Sequence, residues 1–280
     1  MWAIIGGSGF ENFDGIREIE DLDRLTPFGE ASSGLRRIEF GGKEVIFLSR
    51  HGRHHELLPG EVNYRANIFA LKRLGVKKII SVSAVGSLRK ELPPGDLVVA
   101  SQYIDRTKGI RAHTFLGDGL VGHVSLAKPT WSGAAEVIRK MVPKFDFKIH
   151  FDKTYVCIEG PYFSTKAESN SFRGMGADII GMTNFPEFAL AREAGICYVP
   201  CCFVTDYDCW DDEIEHVTLQ LVLETMRLNN KKAVRLISEL LKANPAEDAA
   251  SREGGLKNSL MTDVATVEPT KRAWLETLMS

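Results

Sequence analysis

The sequence predicts an α/β fold in which a mixed, mostly parallel β-sheet is flanked by helices. Over the first 245 residues, short apolar runs alternate with segments whose apolar residues recur at helical spacing. This alternation is typical of sheets whose strands are joined by crossover helices. Hydrophobic residues make up 44% of the 280 residues, so the chain can bury a sizeable core.

The first half contains four strand-like runs and one helix. The helix begins at Asn63 and ends at Gly75, because apolar residues recur at positions 64, 68, 71 and 74 and glycine favours a helix C-terminus. The strands are predicted at residues 2–5, 45–48, 78–82 and 96–100. A small-residue turn at 83–87 follows the third strand, and a Pro-Pro-Gly turn precedes the fourth.

The second half begins with a long loop at residues 105–125, rich in Gly, His and Arg. Strands are predicted at residues 155–158, 179–182 and 196–204. One helix begins at Pro186 and ends at Gly195, and a long amphipathic helix covers residues 213–243. Residues 246–280 are polar and weakly periodic. We therefore expect a domain over residues 1–245 and a C-terminal tail at 246–280 that packs on the body or on a neighbouring subunit.

Composition excludes several classes of protein. The formal net charge of −2 gives no bulk attraction for nucleic acid or a membrane surface. No apolar run approaches the ~18 residues of a membrane helix, and residues 1–7 lack the basic leader of a signal peptide. The five cysteines have no zinc spacing and indicate buried thiols in a reducing compartment, so we expect a cytoplasmic protein with no metal.

Polar residues cluster where the predicted strands end. In open α/β sheets, ligands bind outside the carboxyl ends of the strands, so these clusters are expected to form one shared site. The clusters lie at residues 6–9, 50–51, 83–87, 159–163, 182–183 and 205–208.

The clusters of the first half suit an anion. The glycine-rich turn at residues 6–9 is either a phosphate-sized anion site or a plain tight turn, since a dinucleotide fingerprint would need glycine where the chain has Asn12. Arg50 can present a planar fork to phosphate oxygens, although its segment could also be a solvated basic loop. Ser83 could donate to phosphate or ribose, or serve only tight packing.

The clusters of the second half suit a base and a sugar. Asp206 and Asp208 follow a buried apolar strand, where a desolvated carboxyl can stay protonated and donate to a leaving base. A solvated acidic turn that caps the next helix is the alternative. Phe163 can stack on a purine and Met182 can pack under a sugar, although both residue types more often serve core packing.

Five separated motifs together resemble the methylthioadenosine phosphorylase family, which belongs to the trimer-type purine nucleoside phosphorylases. The resemblance runs from about residue 2 to residue 240. The motifs are Gly-Gly-Ser-Gly at 6–9, Ser-Arg-His-Gly at 49–52, Val-Asn-Tyr-Arg-Ala-Asn at 62–67, Glu-Gly-Pro-Tyr-Phe-Ser at 159–164 and Thr-Asp-Tyr-Asp-Cys-Trp at 205–210.

The resemblance implies a single-domain nucleoside phosphorylase fold and a homo-oligomer, either a trimer or a dimer of trimers. It implies inorganic phosphate as co-substrate, with no metal or organic cofactor. The implied phosphate-binding residues are Ser8, Arg50, His51, Ser83 and Ala84. The implied substrate-binding residues are Phe163, Met182, Thr183, Asp206, Asp208, Val217, Leu219, Val222 and Leu223, with His123 reaching a neighbour's ligand.

The implied reaction is the phosphorolysis of 5′-methylthioadenosine, with Asp206 as the catalytic residue that protonates or hydrogen-bonds the purine N7. A carboxyl at 206 favours 6-aminopurines, because its second oxygen can accept from N6. The alternatives are a 6-oxopurine nucleoside or methylthioinosine phosphorylase on the same fold, a nucleosidase that uses water, and a non-catalytic nucleoside-binding protein. The failed glycine fingerprint argues against a nucleotide-binding dehydrogenase.

Overall fold

The computed structural model describes residues 1–10, 13–211 and 219–280. Its strands are β1 (Trp2–Gly6), β2 (Arg17–Asp21), β3 (Leu25–Thr26), β4 (Gly29–Glu30), β5 (Arg36–Phe40), β6 (Lys43–Ser49), β7 (Lys78–Ser87), β8 (Leu97–Arg106), β9 (Ile149–Ile158), β10 (Ile179–Gly181) and β11 (Cys197–Asp206). Its helices are α1 (Tyr64–Arg73), α2 (Ser132–Met141), α3 (Lys166–Gly174), α4 (Asn184–Glu193), α5 (Leu219–Ala243), α6 (Ala249–Glu253), α7 (Leu256–Ser259) and α8 (Pro269–Met279), with 3₁₀ turns at Val142–Lys144 and Val264–Thr266.

One mixed sheet organises the molecule. Nine strands follow the order β10-β9-β8-β11-β7-β1-β6-β5-β2, and β10 also pairs with β7, so five of the strands close into a ring. Five of the strand pairings in this sheet are parallel, and four are antiparallel. The predicted mixed sheet flanked by helices is confirmed.

The helix starts follow local capping chemistry. The Asn63 side chain accepts a hydrogen bond from the Ala66 N–H at 3.1 Å, which caps α1 at the predicted residue. Helix α3 was not predicted, although it carries a sequence signal. Thr165 and Glu168 form a capping box, in which each side chain binds the other residue's backbone N–H.

The prediction of a turn at residues 83–87 is wrong. This segment continues β7 as far as Ser87, because Ser83, Ala84 and Val85 pair in register with β11. The small residues of this segment therefore belong to a paired strand, and residues 83–86 line the cavity described below. The predicted long helix is observed from Leu219, and residues 213–218 lie outside the described part of the chain.

The two faces of the sheet pack against different helices. Ile5 and Leu48 belong to the apolar cluster that also contains α1 and α4, whereas Ile4 and Phe47 belong to the cluster that contains α2 and α5. This is the alternation expected of strands covered on both faces. Cys201 and Cys202 likewise fall in different clusters, and all five cysteines, each a described residue, are unpaired.

The C-terminal residues contribute to this core. Leu256, Leu275 and Leu278 are each at most 1% exposed and lie in the cluster of α1 and α4. The division of the chain at residue 245 stays a prediction. Within the described residues, no helix is both long and apolar enough to cross a membrane.

We predict that Leu275→Ala lowers the free energy of unfolding by about 2–5 kcal/mol, because it leaves a cavity in a fully buried site. Glu276→Ala on the exposed face of the same helix is the matched control and should change it by less than about 0.5 kcal/mol. Urea unfolding at a fixed protein concentration measures both. Equal effects of the two substitutions would mean that α8 does not pack on the core in solution.

Candidate active site

A cavity of about 800 Å³ lies where the carboxyl ends of β1, β6, β10 and β11 meet the second half of β7. Residues from all six predicted polar clusters line it. The lining residues that the sequence singled out are Ser8, Arg50, His51, Ser83, Ala84, Phe163, Met182, Thr183, Asp206, Asp208, Val222 and Leu223.

Arg50 forms the centre of the anion-binding side. Its guanidinium is fully buried and donates from Nε and Nη2 to the two carboxylate oxygens of Glu187, at 2.6 and 2.8 Å. Nη2 also donates to Ser81 Oγ and Nη1 to the Val82 carbonyl. These four bonds leave one of the five guanidinium N–H groups, on Nη1, for a ligand in the cavity. The bidentate fork therefore holds Glu187, and the alternative of a solvated basic loop is wrong at Arg50.

Glu187 is a site residue that the sequence did not reveal. It is 1% exposed on α4, and its Oε1 also accepts hydrogen bonds from Ser81 Oγ at 2.7 Å and Tyr198 Oη at 2.8 Å. Burial alone would lower the pKa of Arg50, but the ion pair with Glu187 raises this pKa above its ordinary value. Arg50 is thus held charged and immobile. The only sequence signal was a glutamate inside an otherwise apolar helical segment.

His51 and Ser83 line the same cavity as Arg50. His51 Nδ1 lies 2.9 Å from the Leu57 carbonyl, which can only accept, so Nδ1 carries the hydrogen. Within the described part of the chain, Ser83 Oγ contacts Cys202 Sγ and Asn184 Nδ2, each at 3.5 Å. Its hydroxyl can therefore turn towards a ligand. Gly7 packs closely on this side, since a Cβ there would lie 2.7 Å from Arg50 Nη1.

The two carboxyls at the end of β11 form the opposite side. Asp206 is 7% and Asp208 6% exposed, which contradicts the alternative of a solvated acidic turn. The Asp208 N–H donates to Asp206 Oδ1 at 2.8 Å, and Thr205 Oγ1 lies 2.6 Å from Asp206 Oδ2. Burial raises the pKa of Asp206, against the opposing effect of these two bonds. Burial also raises the pKa of Asp208, to about 6.

Apolar side chains line the rest of the cavity. Val222 is buried, while Leu223 and Phe163 are each 53% exposed. Met226, which the sequence did not single out, also lines the cavity from α5. Met182 packs against Gly160, whose positive φ of 71° favours glycine, and a Cβ on Gly160 would lie 2.5 Å from Met182 Sδ.

Three predicted residues are not among the lining residues. Val217 lies outside the described residues, and so does the side chain of Leu219. His123 is exposed and away from the cavity, and its backbone N–H donates to the Ser259 carbonyl at 3.0 Å. The role predicted for His123 concerns the ligand of a neighbouring subunit, so it stays a prediction.

Comparisons with known proteins identify the family of the chain. The family model of the phosphorylase superfamily matches residues 2–242. The S-methyl-5′-thioadenosine phosphorylase of Thermosynechococcus vestitus is 43% identical, over 99% of this chain and 97% of its own. That of Thermofilum pendens is 47% identical, over 88% of this chain and 92% of its own.

Solved structures show the same similarity. A methylthioadenosine phosphorylase from an antarctic soil metagenomic library superposes with a TM-score of 0.91 at 41% identity, covering 100% of this chain and 98% of that one. The Schistosoma mansoni methylthioadenosine phosphorylase in complex with adenine gives a TM-score of 0.80 at 34% identity, covering 99% of this chain and 97% of that one. The chain belongs to the phosphorylase superfamily.

Proposed function

We propose that the protein is a pentosyltransferase that cleaves 5′-methylthioadenosine with inorganic phosphate. The products are adenine and 5-methylthioribose 1-phosphate, which serve purine and methionine salvage. The observation that carries this proposal is a buried carboxyl of raised pKa, Asp206, in the same cavity as the immobilised cation Arg50. The relatives that cover nearly the whole chain carry the name of this activity.

Phosphate is assigned to Ser8, Arg50, His51, Ser83 and Ala84. In phosphorolysis of an N-glycoside, positive charge builds on the sugar carbon as the base departs. A phosphate held on the opposite face of the sugar is both the nucleophile and the anion that stabilises this charge. Arg50 supplies a fixed cation, and the hydroxyls and backbone N–H groups supply oriented neutral donors.

The leaving purine is assigned to Asp206. A protonated Asp206 donates to N7 of adenine, and its other oxygen accepts from N6. Once the proton is transferred, the Asp208 N–H and the Thr205 hydroxyl can both donate to the new carboxylate. A 6-oxopurine offers an acceptor where adenine offers the N6 donor, so this carboxyl favours adenine. No metal or organic cofactor enters this scheme.

The 5′-methylthio group is assigned to the apolar part of the cavity. Met226 lies one turn after Val222 and Leu223 on α5, and these apolar side chains suit a thioether better than a hydroxyl. Val217 and Leu219 complete this pocket in the proposal. The ribose is assigned to Met182 and Thr183, with phosphate beneath the sugar. The resemblance of the motifs further supports a homotrimer, in which His123 reaches the 5′ end of the ligand bound by a neighbouring subunit.

The first prediction from the proposed function concerns the reaction itself. We expect adenine release from 5′-methylthioadenosine only when inorganic phosphate is present, because phosphate is the nucleophile. The assay follows free adenine with and without phosphate, beside parallel reactions with methylthioinosine and inosine. Release without phosphate would identify a nucleosidase and refute the role of Arg50. Cleavage of the inosine compounds alone would refute the base preference assigned to Asp206.

The second prediction concerns the proton donor. Asp206→Asn should lower kcat with 5′-methylthioadenosine by about 100-fold or more, because an amide cannot donate a proton to N7 as an acid does. The activity of this variant with methylthioinosine should rise relative to its activity with 5′-methylthioadenosine. Asp211→Asn, the same change in a side chain paired with Lys90 outside the cavity, is the matched control and should stay within about threefold. An Asp206→Asn variant with full adenine-nucleoside activity and no 6-oxopurine activity contradicts the assignment.

The third prediction concerns pH and stability. Burial raises the pKa of Asp208 from 3.8 to about 6, so the folded protein binds this proton more tightly than the unfolded chain. The stabilisation is fully present below pH 3.8 and is lost as the pH rises through about 6. Asp208→Asn removes this titration. In urea unfolding, the free energy of unfolding of the variant should rise by about 1 kcal/mol relative to that of the original protein as the pH rises from ~5 to ~7.5. A difference between the two proteins that stays constant over this pH range would refute the raised pKa.

A further inference from the structure

Arg111 is a buried arginine outside the cavity. It follows Ile110 in the segment between β8 and α2, and while Ile110 is 72% exposed, Arg111 is 5% exposed. This segment belongs to the long loop predicted at residues 105–125, and the sequence predicts no role for Arg111. A charged side chain buried in a loop costs free energy unless its donors are satisfied, so its contacts indicate what it does.

The guanidinium of Arg111 binds backbone carbonyls of two chain segments. Nη1 donates to the Met182 carbonyl at 2.8 Å and to the Phe185 carbonyl at 2.7 Å. Nη2 donates to the Glu159 carbonyl at 3.0 Å, and Nε donates to the Glu159 carboxylate at 2.8 Å. The second carboxylate oxygen of Glu159 accepts from the Lys108 N–H at 3.1 Å.

These two segments carry the side chains assigned to the nucleoside. Glu159 is the first residue after β9 and stands four residues before Phe163. Met182 and Thr183 line the cavity between β10 and α4. One planar group therefore sets the distance between the segment that presents Phe163 and the segment that presents Met182.

A third wall of the cavity rests on the same group. The Arg111 guanidinium lies 5.6 Å from the ring centroid of Tyr64, whose hydroxyl donates to the carbonyl of the cavity-lining Pro59 at 3.0 Å. Gly60 packs on the Glu159 carboxylate, since a Cβ there would lie 2.7 Å from Oε1. The Arg111–Glu159 pair does not itself line the cavity, but it fixes three segments that surround the positions proposed for the sugar and the base.

We propose that Arg111 is a positioning residue for nucleoside binding, which holds the Phe163 and Met182 segments at the spacing that the substrate requires. The proposal rests on the proposed function for its kinetic consequence. Lysine cannot replace this arginine, because an ammonium has three donors and no planar fork to reach both segments at once. The residues assigned to phosphate belong to other segments: Ser8 follows β1, Arg50 and His51 follow β6, and Ser83 and Ala84 lie on β7.

The test compares Arg111→Lys with a matched control, Arg192→Lys. Arg192 is also buried and also donates to backbone carbonyls, those of Ala250 and Lys128, but it does not line the cavity or join its walls. Arg111→Lys should raise KM for 5′-methylthioadenosine about 10-fold or more, with kcat and the KM for phosphate within about threefold. Arg192→Lys should leave both KM values within about twofold, even where it lowers the melting temperature equally.

A second measurement does not depend on the reaction. In the ligand-free protein, amide hydrogen exchange at residues 159–163 and 182–185 should be faster in Arg111→Lys and unchanged in Arg192→Lys. If the original protein releases no adenine, the proposed function fails, while this exchange measurement still decides the positioning role. Should Arg111→Lys not fold, Glu159→Gln is measured in its place and should show the same rise in nucleoside KM and the same faster exchange. An unchanged nucleoside KM with unchanged exchange, or an equal effect of Arg192→Lys, overturns the proposal.

Discussion

The ion pair between Arg50 and Glu187 is the interaction on which the site depends. Both side chains are almost completely buried, and moving two charges from water into a protein interior costs several kcal/mol for each ion. This cost is offset only if the remaining donors and acceptors of the pair form hydrogen bonds. Here Ser81 and Tyr198 provide such bonds. Arg50 directly follows β6, and the other three residues lie on β7, α4 and β11, so the pair fixes the elements of the cavity relative to one another.

The same burial has opposite effects on the two sides of the cavity. Arg50 remains charged because a carboxylate lies against it, and its pKa rises despite desolvation. Asp206 has only neutral donors around its carboxyl in the described part of the chain, so desolvation raises its pKa and favours the protonated form. A cation for the nucleophile and a neutral acid for the leaving base thus arise from one buried environment. The difference between the two sides lies in whether a counter-charge is present.

The sequence predicted those features that depend on neighbouring residues. The ends of β1, β6 and β11 and the cap of α1 at Asn63 follow from apolar runs and turn residues, and the site clusters follow from the strand ends. The edge strand β2 was missed because all five of its residues are exposed and carry no apolar pattern. The partner of Arg50 was missed because Glu187 is 137 residues away, and pairing over such a separation is set by the sheet order. The strands at residues 96–100 and 179–182 were predicted, but the antiparallel pairing of β8 with β11 and of β10 with β7 was not, since a single strand's pattern does not encode its direction.

Arg50 and Arg111 show why a motif and a geometry give different information about function. Arg50 stands in a recognisable motif, yet most of its guanidinium faces the interior, and one N–H remains for a ligand. Arg111 stands in a segment without periodicity, yet its hydrogen bonds fix the backbone on both sides of the nucleoside position. A ligand is held only as accurately as the backbone beneath it, so residues that bind no ligand can still determine affinity. Such residues are identified from the structure, because their hydrogen bonds hold the backbone of segments whose side chains line the site.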